Sequence, residues 1–397
     1  MNYKLISMVN VCVLALVGSC NREAKSLSNV QVSQAGSSDI PVRAQLLPGV
    51  DSSWKVSGTL VNPSEDLVDV QLIDNNNGKA AGAKGTIFET QDGGRSWQRL
   101  RGGLPANPEF VRICFVNRSL GWAVVMKSQP SPSDTGSSYD AFLMRTEDGG
   151  ATWSNQYTIK NGSLSQIRFV NDREGWAAGS TRGPEGGDQT EHLLILHTLD
   201  RGLHWTDSFM QAAEQRTDDS AEDIHVDTAA TMFLTTNGAI FNTADAGKNW
   251  NMIKMPEPDY PQLANLRLAI DQSHRLWVLS SANSREVAAT VLARRDSNGD
   301  WATIQLADWY ISDVKFLSPS QIIVCGFVGK KVEQQPLQNT EGIVAFSADN
   351  GKTWKIILRT KDAPRINSLA VISQDQLLAL GNNGWAFKIQ KSSETAD

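Results

Sequence analysis

Seven times along the chain, a short segment alternates apolar, free and apolar positions: Val70-Gln71-Leu72, Ile113-Cys114-Phe115, Ile167-Arg168-Phe169, Ile224-His225-Val226, Leu266-Arg267-Leu268, Val314-Lys315-Phe316 and Leu369-Ala370-Val371. After each comes a nearly unbroken apolar run, at residues 78–82, 121–125, 175–179, 232–235, 276–279, 322–326 and 377–381. Alternation predicts a strand, and a short continuous apolar run bounded by turn residues predicts a strand covered on both faces.

A third strand and a tight turn complete the unit. At residues 85–100 they read GTIFETQDGGRSWQRL, in which Thr90, Asp92, Gly94 and Trp97 form the pattern Ser/Thr-x-Asp-x-Gly-x-x-Trp. The spacing recurs at Thr146, Asp148, Gly150, Trp153; at Thr198, Asp200, Gly202, Trp205; at Thr243, Asp245, Gly247, Trp250; and at Ser347, Asp349, Gly351, Trp354. A damaged copy, DSNGDW, occupies residues 296–301. The Asp accepts hydrogen bonds from amides of its own loop, the Gly takes positive φ without steric cost, and the Trp supplies an apolar body beside the turn.

Repetition at this period makes the unit, and not the chain length, the key to the architecture. Four short strands per unit are the anatomy of a propeller blade. The seventh unit stops at its third strand, GWAFKI at 384–389, whereas SSWKV at 52–56 precedes the first unit and reads like a fourth strand. The expectation is an all-β, seven-bladed β-propeller of four-stranded blades over residues 45–391, its ring closed by the N-terminal strand completing the last blade. Closing in this way removes the open sheet edges.

At these positions the chain resembles the Asp-box (BNR) repeat proteins, which include sialidases, sortilin-type receptors and the photosystem II assembly-factor family of cyanobacteria and chloroplasts. The Gly121-Trp122-Ala123 strand and the DGGATW turn at 148–153 are most similar to the assembly factors. That resemblance implies an exported or lipid-anchored seven-bladed propeller that binds a protein or peptide partner, a subunit of a membrane complex, without catalysis. Assembly factors of this kind are associated with an arginine-rich surface patch, for which no single motif stands here.

Composition narrows the partners. A net charge of -6 gives no global basic field to attract nucleic acid. Lys4 followed by a mostly apolar run over 5–17, and then Val17-Gly18-Ser19-Cys20, reads as a lipoprotein signal peptide (1–19) with Cys20 as the acylated first residue. This predicts an exported, membrane-anchored lipoprotein on a periplasmic, thylakoid-lumenal or cell-surface side. Residues 20–44, rich in Ser, Gln, Asn and Gly, read as a flexible tether, and 392–397 as a disordered tail. Cys114 and Cys325 lie in apolar runs of units far apart around the ring, which predicts two buried free thiols. The molecule is expected to be a monomer.

Candidate chemistry falls into three groups. The five motif carboxylates, Asp92, Asp148, Asp200, Asp245 and Asp349, sit on separate blades and are expected to be structural. Long polar stretches after the second strand, at 126–140, 180–191, 280–286 and 327–341, would raise two walls on the face opposite the Asp boxes, with Tyr139, Arg182, Lys330 and Lys331 as candidate binding residues. The middle positions of the first strands carry Arg168, His225, Arg267 and Lys315, with Arg112 beside them: an axial cation cluster suited to a carboxylate, unless Asp69, Asp223 and Asp313 neutralise it.

The competing reading is a sialidase-like glycosidase or carbohydrate-binding protein. A sialidase's first arginine lies in a Phe/Tyr-Arg-Ile-Pro segment before the first Asp box. The arginines available here are Arg43, in PVRAQ, and Arg95, inside the box; FVRI at 110–113 follows the box and lacks the Pro. Tyr310 has no Glu before it at a telling position, so no catalytic residue is assigned. Asp296, Asn298 and Asp300 begin like a calcium loop, but Trp301 stands where Gly is needed and Ala307 where the bidentate Glu belongs, and the five histidines show no zinc spacing. No metal or cofactor is expected.

Overall fold

The computed structural model describes residues 49–104, 108, 110–129, 138–182, 191–207, 220–236, 239–254, 266–283, 288–330 and 338–392. After β1 (Trp54–Leu60), blade one comprises β2 (Leu67–Leu72), β3 (Gly78–Gly82), β4 (Thr86–Thr90) and β5 (Gln98–Gly103). Blade two comprises β6 (Phe110–Phe115), β7 (Gly121–Gln129), β8 (Ser138–Thr146) and β9 (Ser154–Ile159). Blade three comprises β10 (Gly162–Phe169), β11 (Gly175–Arg182), β12 (Glu191–Thr198) and β13 (Thr206–Asp207). Blade four comprises β14 (Ala221–Val226), β15 (Met232–Thr236), β16 (Ala239–Thr243) and β17 (Asn251–Ile253). Blade five comprises β18 (Arg267–Ile270), β19 (Leu276–Asn283), β20 (Ala288–Arg295) and β21 (Trp301–Ala307). Blade six comprises β22 (Trp309–Ser318), β23 (Gln321–Lys330), β24 (Gln338–Ser347) and β25 (Lys355–Thr360). Blade seven takes β26 (Ile366–Ser373), β27 (Gln376–Gly381) and β28 (Trp385–Lys391).

Each blade is an antiparallel sheet in sequence order, and the seventh sheet has the order β1-β28-β27-β26. The N-terminal strand thus supplies its outer edge, in register from Trp54 opposite Lys391 to Leu60 opposite Trp385. Main-chain bonds from Val61 N–H to Gly384 O and from Ser392 N–H to Ser53 O fasten the two ends of this pair. Gly384, at φ +73°, has to be glycine, because a Cβ there would collide with the Asn62 carbonyl.

The core is divided among the blade junctions. Seven apolar clusters each join two successive blades, and the one uniting Leu67, Val70 and Phe88 with Ala370, Leu378 and Ala386 joins blade seven to blade one. Strand β7 shows why the second strands read as unbroken apolar runs: Trp122, Val124 and Met126 pack toward blade three, while Ala123 and Val125 pack toward blade one. Cys114 and Cys325 are free and buried in blades two and six, and burial pushes both thiols up.

The polar stretches after the second strands are only partly loops. Pairing continues to Gln129 opposite Ser138, Arg182 opposite Glu191, Asn283 opposite Ala288, and Lys330 opposite Gln338. These blades therefore extend as ladders beyond the core, where polar side chains interrupt the apolar pattern and make strand look like loop. The tips at 130–137, 183–190, 284–287 and 331–337 lie outside the described residues, as does the expected signal peptide and tether.

Candidate functional site: the Asp-box face, the axial strands and their mouth

In the second blade, Thr146 Oγ1 donates to Asp148 Oδ1 (2.8 Å) and accepts the Gly150 N–H (2.8 Å). Asp148 in turn accepts the Thr152 N–H and hydroxyl at 2.8 and 2.6 Å, and Trp153 Nε1 donates to Gly150 O. The hydroxyl and carboxylate bonds recur at Asp92, Asp200, Asp245 and Asp349, with Ser96, His204, Asn249 and Thr353 in the place of Thr152, and the indole bond recurs at Trp205, Trp250 and Trp354 but not at Trp97, whose Nε1 is buried without a partner. Donation from the Thr152 side chain and amide holds Asp148 down to about 2, and equivalent donors do so for Asp200, Asp245 and Asp349. Burial opposes the shift at Asp92, but the Ser96 and Thr90 hydrogen bonds still lower it.

These turns also join blades, which the sequence pattern does not reveal. Gly94 abuts Leu378 of blade seven, Gly202 abuts Trp122 of blade two, Gly247 abuts Trp176 of blade three and Gly351 abuts Ile304 of blade five. The box tryptophans follow suit: Trp205 and Trp250 each belong to the cluster shared with the preceding blade. A second tie runs within each of the five blades that carry an intact box, as Gly149 N–H donates to Ser119 O in the turn after the first strand. The five box carboxylates occupy turns of five different blades.

The first strands of the blades surround the propeller axis, and register sorts their polar residues into two layers. The first layer, farther from the Asp-box face, contains Asp69, Arg112, Gln166, Asp223, Arg267, Asp313 and Ser368, opposite Ala81, Val124, Ala178, Thr235, Leu279, Cys325 and Leu380. The second contains Gln71, Cys114, Arg168, His225, Ala269, Lys315 and Ala370, opposite Lys79, Trp122, Trp176, Phe233, Trp277, Ile323 and Leu378. Arg267 therefore does not share a layer with Arg168, His225 and Lys315. In β18 the residue opposite Trp277 is Ala269, so the alternation that centres on Arg267 is displaced along the strand.

The three carboxylates of the first layer tie blades together. Asp69 accepts Val70 N–H of its own strand and Ile113 N–H of the next blade, both at 3.0 Å. Asp313 does the same with Val314 and Leu369, both at 2.9 Å, and Asp223 accepts Leu268 N–H and Gln166 Nε2. Arg112 is pushed down to about 10 by burial and by Arg267, with Asp69 and Asp223 opposing, and so keeps its charge at neutral pH.

The second layer is distinct in sign. Lys315 Nζ lies 2.8 Å from Asp313 Oδ1, but Arg168 Nη1 donates to neutral acceptors, Gln166 Oε1 at 2.6 Å and Ile167 O at 3.0 Å. Among the described residues no carboxylate pairs with Arg168. His225 is not a cation at neutral pH: burial, and then the Arg168 charge, take it from the ordinary 6.5 to about 4. The cluster expected from the sequence is thus a layer of three acids and two arginines beneath a small positive one.

The remaining candidates stand apart from the axial strands. Tyr139 is half-buried in β8, Arg182 ends β11 with its N–H donated to Asn161 O, and Lys330 ends β23. Lys331 and Cys20 lie outside the described residues. The sequence pattern missed Arg365, just before β26, whose guanidinium carbon lies 5.0 Å from the Tyr310 ring and 4.9 Å from the Phe327 ring. A lone Arg in a connecting segment, KDAPRI, carries no signal of its own.

Comparison with known proteins agrees with this architecture. The family model described as "Photosynthesis system II assembly factor YCF48" matches residues 136–258, which run from β8 through blade four. Two solved structures of that kind superpose on most of the chain. YCF48 bound to D1 peptide does so with a TM-score of 0.59, 18% identity and coverage of 87% of this chain and 99% of that one. YCF48 from Cyanidioschyzon merolae gives 0.57 and 16%, covering 85% and 98%. An ancestral GH74 enzyme also shares the fold, at a TM-score of 0.51 and 14% identity, over 86% of this chain and 45% of that one. No curated protein matches the sequence. The shared fold makes the chain a seven-bladed β-propeller, and its residues 136–258 are similar to the YCF48 assembly-factor family.

Proposed function

We propose that this propeller is a non-enzymatic scaffold that binds a protein or peptide partner during assembly of a membrane complex, held at the membrane by a lipid on Cys20. The observation that carries it is Arg168: a cation on an axial strand, hydrogen-bonded among the described residues to neutral acceptors only, beside Lys315 and His225. A guanidinium so placed is suited to a carboxylate of an incoming peptide. The YCF48 structure solved with a D1 peptide supports the reading and suggests a photosystem II subunit as the partner class.

The test is fluorescence anisotropy with a labelled D1 peptide. Wild-type protein is expected to bind, and Arg168→Ala with Lys315→Ala to weaken binding at least tenfold, about 1.4 kcal/mol or more. Equal binding by that variant would move the site to Tyr139, Arg182, Lys330 and Lys331. Absence of binding by wild type would remove the peptide reading, and sialoside turnover abolished by Tyr310→Phe would replace it with a glycosidase. Cys20→Ser is expected to release the protein into the soluble fraction; retention in the membrane would require another anchor.

A further inference from the structure

The junction of blades six and seven, at the mouth of the axis opposite the Asp boxes, holds a polar group with no use in the fold. Tyr310 opens β22 and stacks on Phe327 of β23, centroids 4.9 Å apart at 24°. Arg365 lies over both rings. Its main chain is fixed, since Arg365 O accepts Asn382 N–H at 3.0 Å. Two glycines permit the close approach: a Cβ on Gly326 would strike Tyr310 O, and one on Gly381 would come within 2.7 Å of Arg365 O. Chain and side chain are therefore set in place before any ligand arrives.

What the site lacks is an acceptor. Arg145, Arg201, Arg275 and Arg359 are paired with Glu147, Asp172, Asp271 and Glu341, whereas Arg365 makes no hydrogen bond or ion pair through its side chain among the described residues. Its Nε is buried without a partner. Burying a guanidinium donor against aromatic rings with no acceptor is unfavourable, and an oxyanion docking on that edge recovers the loss. The cations just upstream, Arg359 and Lys361, are both turned to Glu341. One unshared guanidinium balances a monoanion, and its planar fork matches a carboxylate.

We infer that Arg365, clamped over Tyr310 and Phe327, forms a carboxylate-binding site at the mouth between blades six and seven, for an acidic side chain or chain terminus of a peptide. The inference rests on the peptide-binding reading only for its choice of probe, and it uses the opposite face from Arg168.

Saturation-transfer NMR on the full chain with N-acetyl-trialanine tests it, in the free-acid and amide forms. The acid is expected to bind and the amide not. Arg365→Gln is expected to lose affinity at least tenfold and Arg365→Lys severalfold, with an unchanged melting temperature. Should Arg365→Gln fold poorly, Phe327→Leu gives the same reading, weakening acid binding by loosening the clamp. Equal binding of acid and amide, or full binding by the Arg365 variants, would overturn the site. Displacement by inorganic phosphate at lower concentration than the acid would overturn the carboxylate assignment. Loss of acid binding in the Arg168→Ala, Lys315→Ala variant with retention in Arg365→Gln would sink this site while leaving the axial reading intact.

Discussion

Trp122 Nε1 donates to the main-chain oxygen of Arg201 at 3.0 Å, so the Gly-Trp strand of blade two is bonded to the Asp box of blade three. Arg145 Nε reaches the same oxygen at 2.9 Å. Gly202, the next residue, holds φ +73°, and a Cβ there would lie 2.4 Å from the Trp122 ring nitrogen. Gly202→Ala would face both left-handed backbone strain and collision with a fully buried ring, and is expected to cost about 2–3 kcal/mol. Trp122→Phe, which keeps most of the apolar contact and leaves the Arg201 oxygen with one donor, is expected to cost less. Thermal melts of the two variants check the order.

The Asp box is a network centred on the Thr hydroxyl as much as on the carboxylate. Thr146→Val removes a donor to Asp148 and an acceptor for the buried Gly150 N–H, at an expected cost of about 1–2 kcal/mol. The corresponding carboxylates have folded pKa values near 2, below the ordinary 3.8. The stability they contribute is present above pH 4 and is lost as pH falls from about 4 toward 2, the unfolded chain taking up protons first. Melting temperature followed from pH 5 to 2.5 is expected to fall in that window, and to fall less steeply when Asp148 is replaced by Asn.

Blade number, strand order and closure were legible because the apolar runs and the Asp-Gly-Trp turns each repeat with their chemistry intact. Register was not. The segment Leu266-Arg267-Leu268 alternates as well as Leu268-Ala269-Ile270 does, and only pairing of Ala269 with Trp277 fixes which residue lies level with Arg168. The roles of Asp69 and Asp313 were equally hidden, since their partners, Ile113 and Leu369 amides, come from the following blade. The Arg365 contact was legible least, because Arg365 meets Tyr310 and Phe327 only through the ring's geometry.

His225 supplies a pH test of the axial cluster. Its folded pKa of about 4 lies below the ordinary 6.5, so the neutral form is favoured on folding. Stability is fully present above pH 6.5 and declines as pH falls toward 4, where the unfolded chain holds the extra proton. For this half-buried ring the loss is about 1–2 kcal/mol. His225→Gln is expected to abolish that slope, and Arg168→Ala to flatten it by removing the repelling charge. Denaturant midpoints at pH 7 and 4.5 measure both; parallel pH slopes for wild type and His225→Gln would show that His225 is not held neutral.

Closure gives the last test. Trp54 is 5% exposed, packs against Phe346 of blade six at 5.5 Å between ring centroids, and begins the strand that covers β28. Trp54→Ala removes the anchor while leaving the β1 main-chain ladder in place, and is expected to cost about 3–5 kcal/mol with the monomer retained. Deleting residues 49–60 removes the ladder as well, leaving the β28 edge from Trp385 to Lys391 unpaired. An open edge of that kind recruits strands from other molecules. The deletion is therefore expected to form oligomers on size exclusion that the Trp54→Ala variant does not. If both variants stayed monomeric and equally stable, the N-terminal strand would be an accessory to the seventh blade and not the closure of the ring.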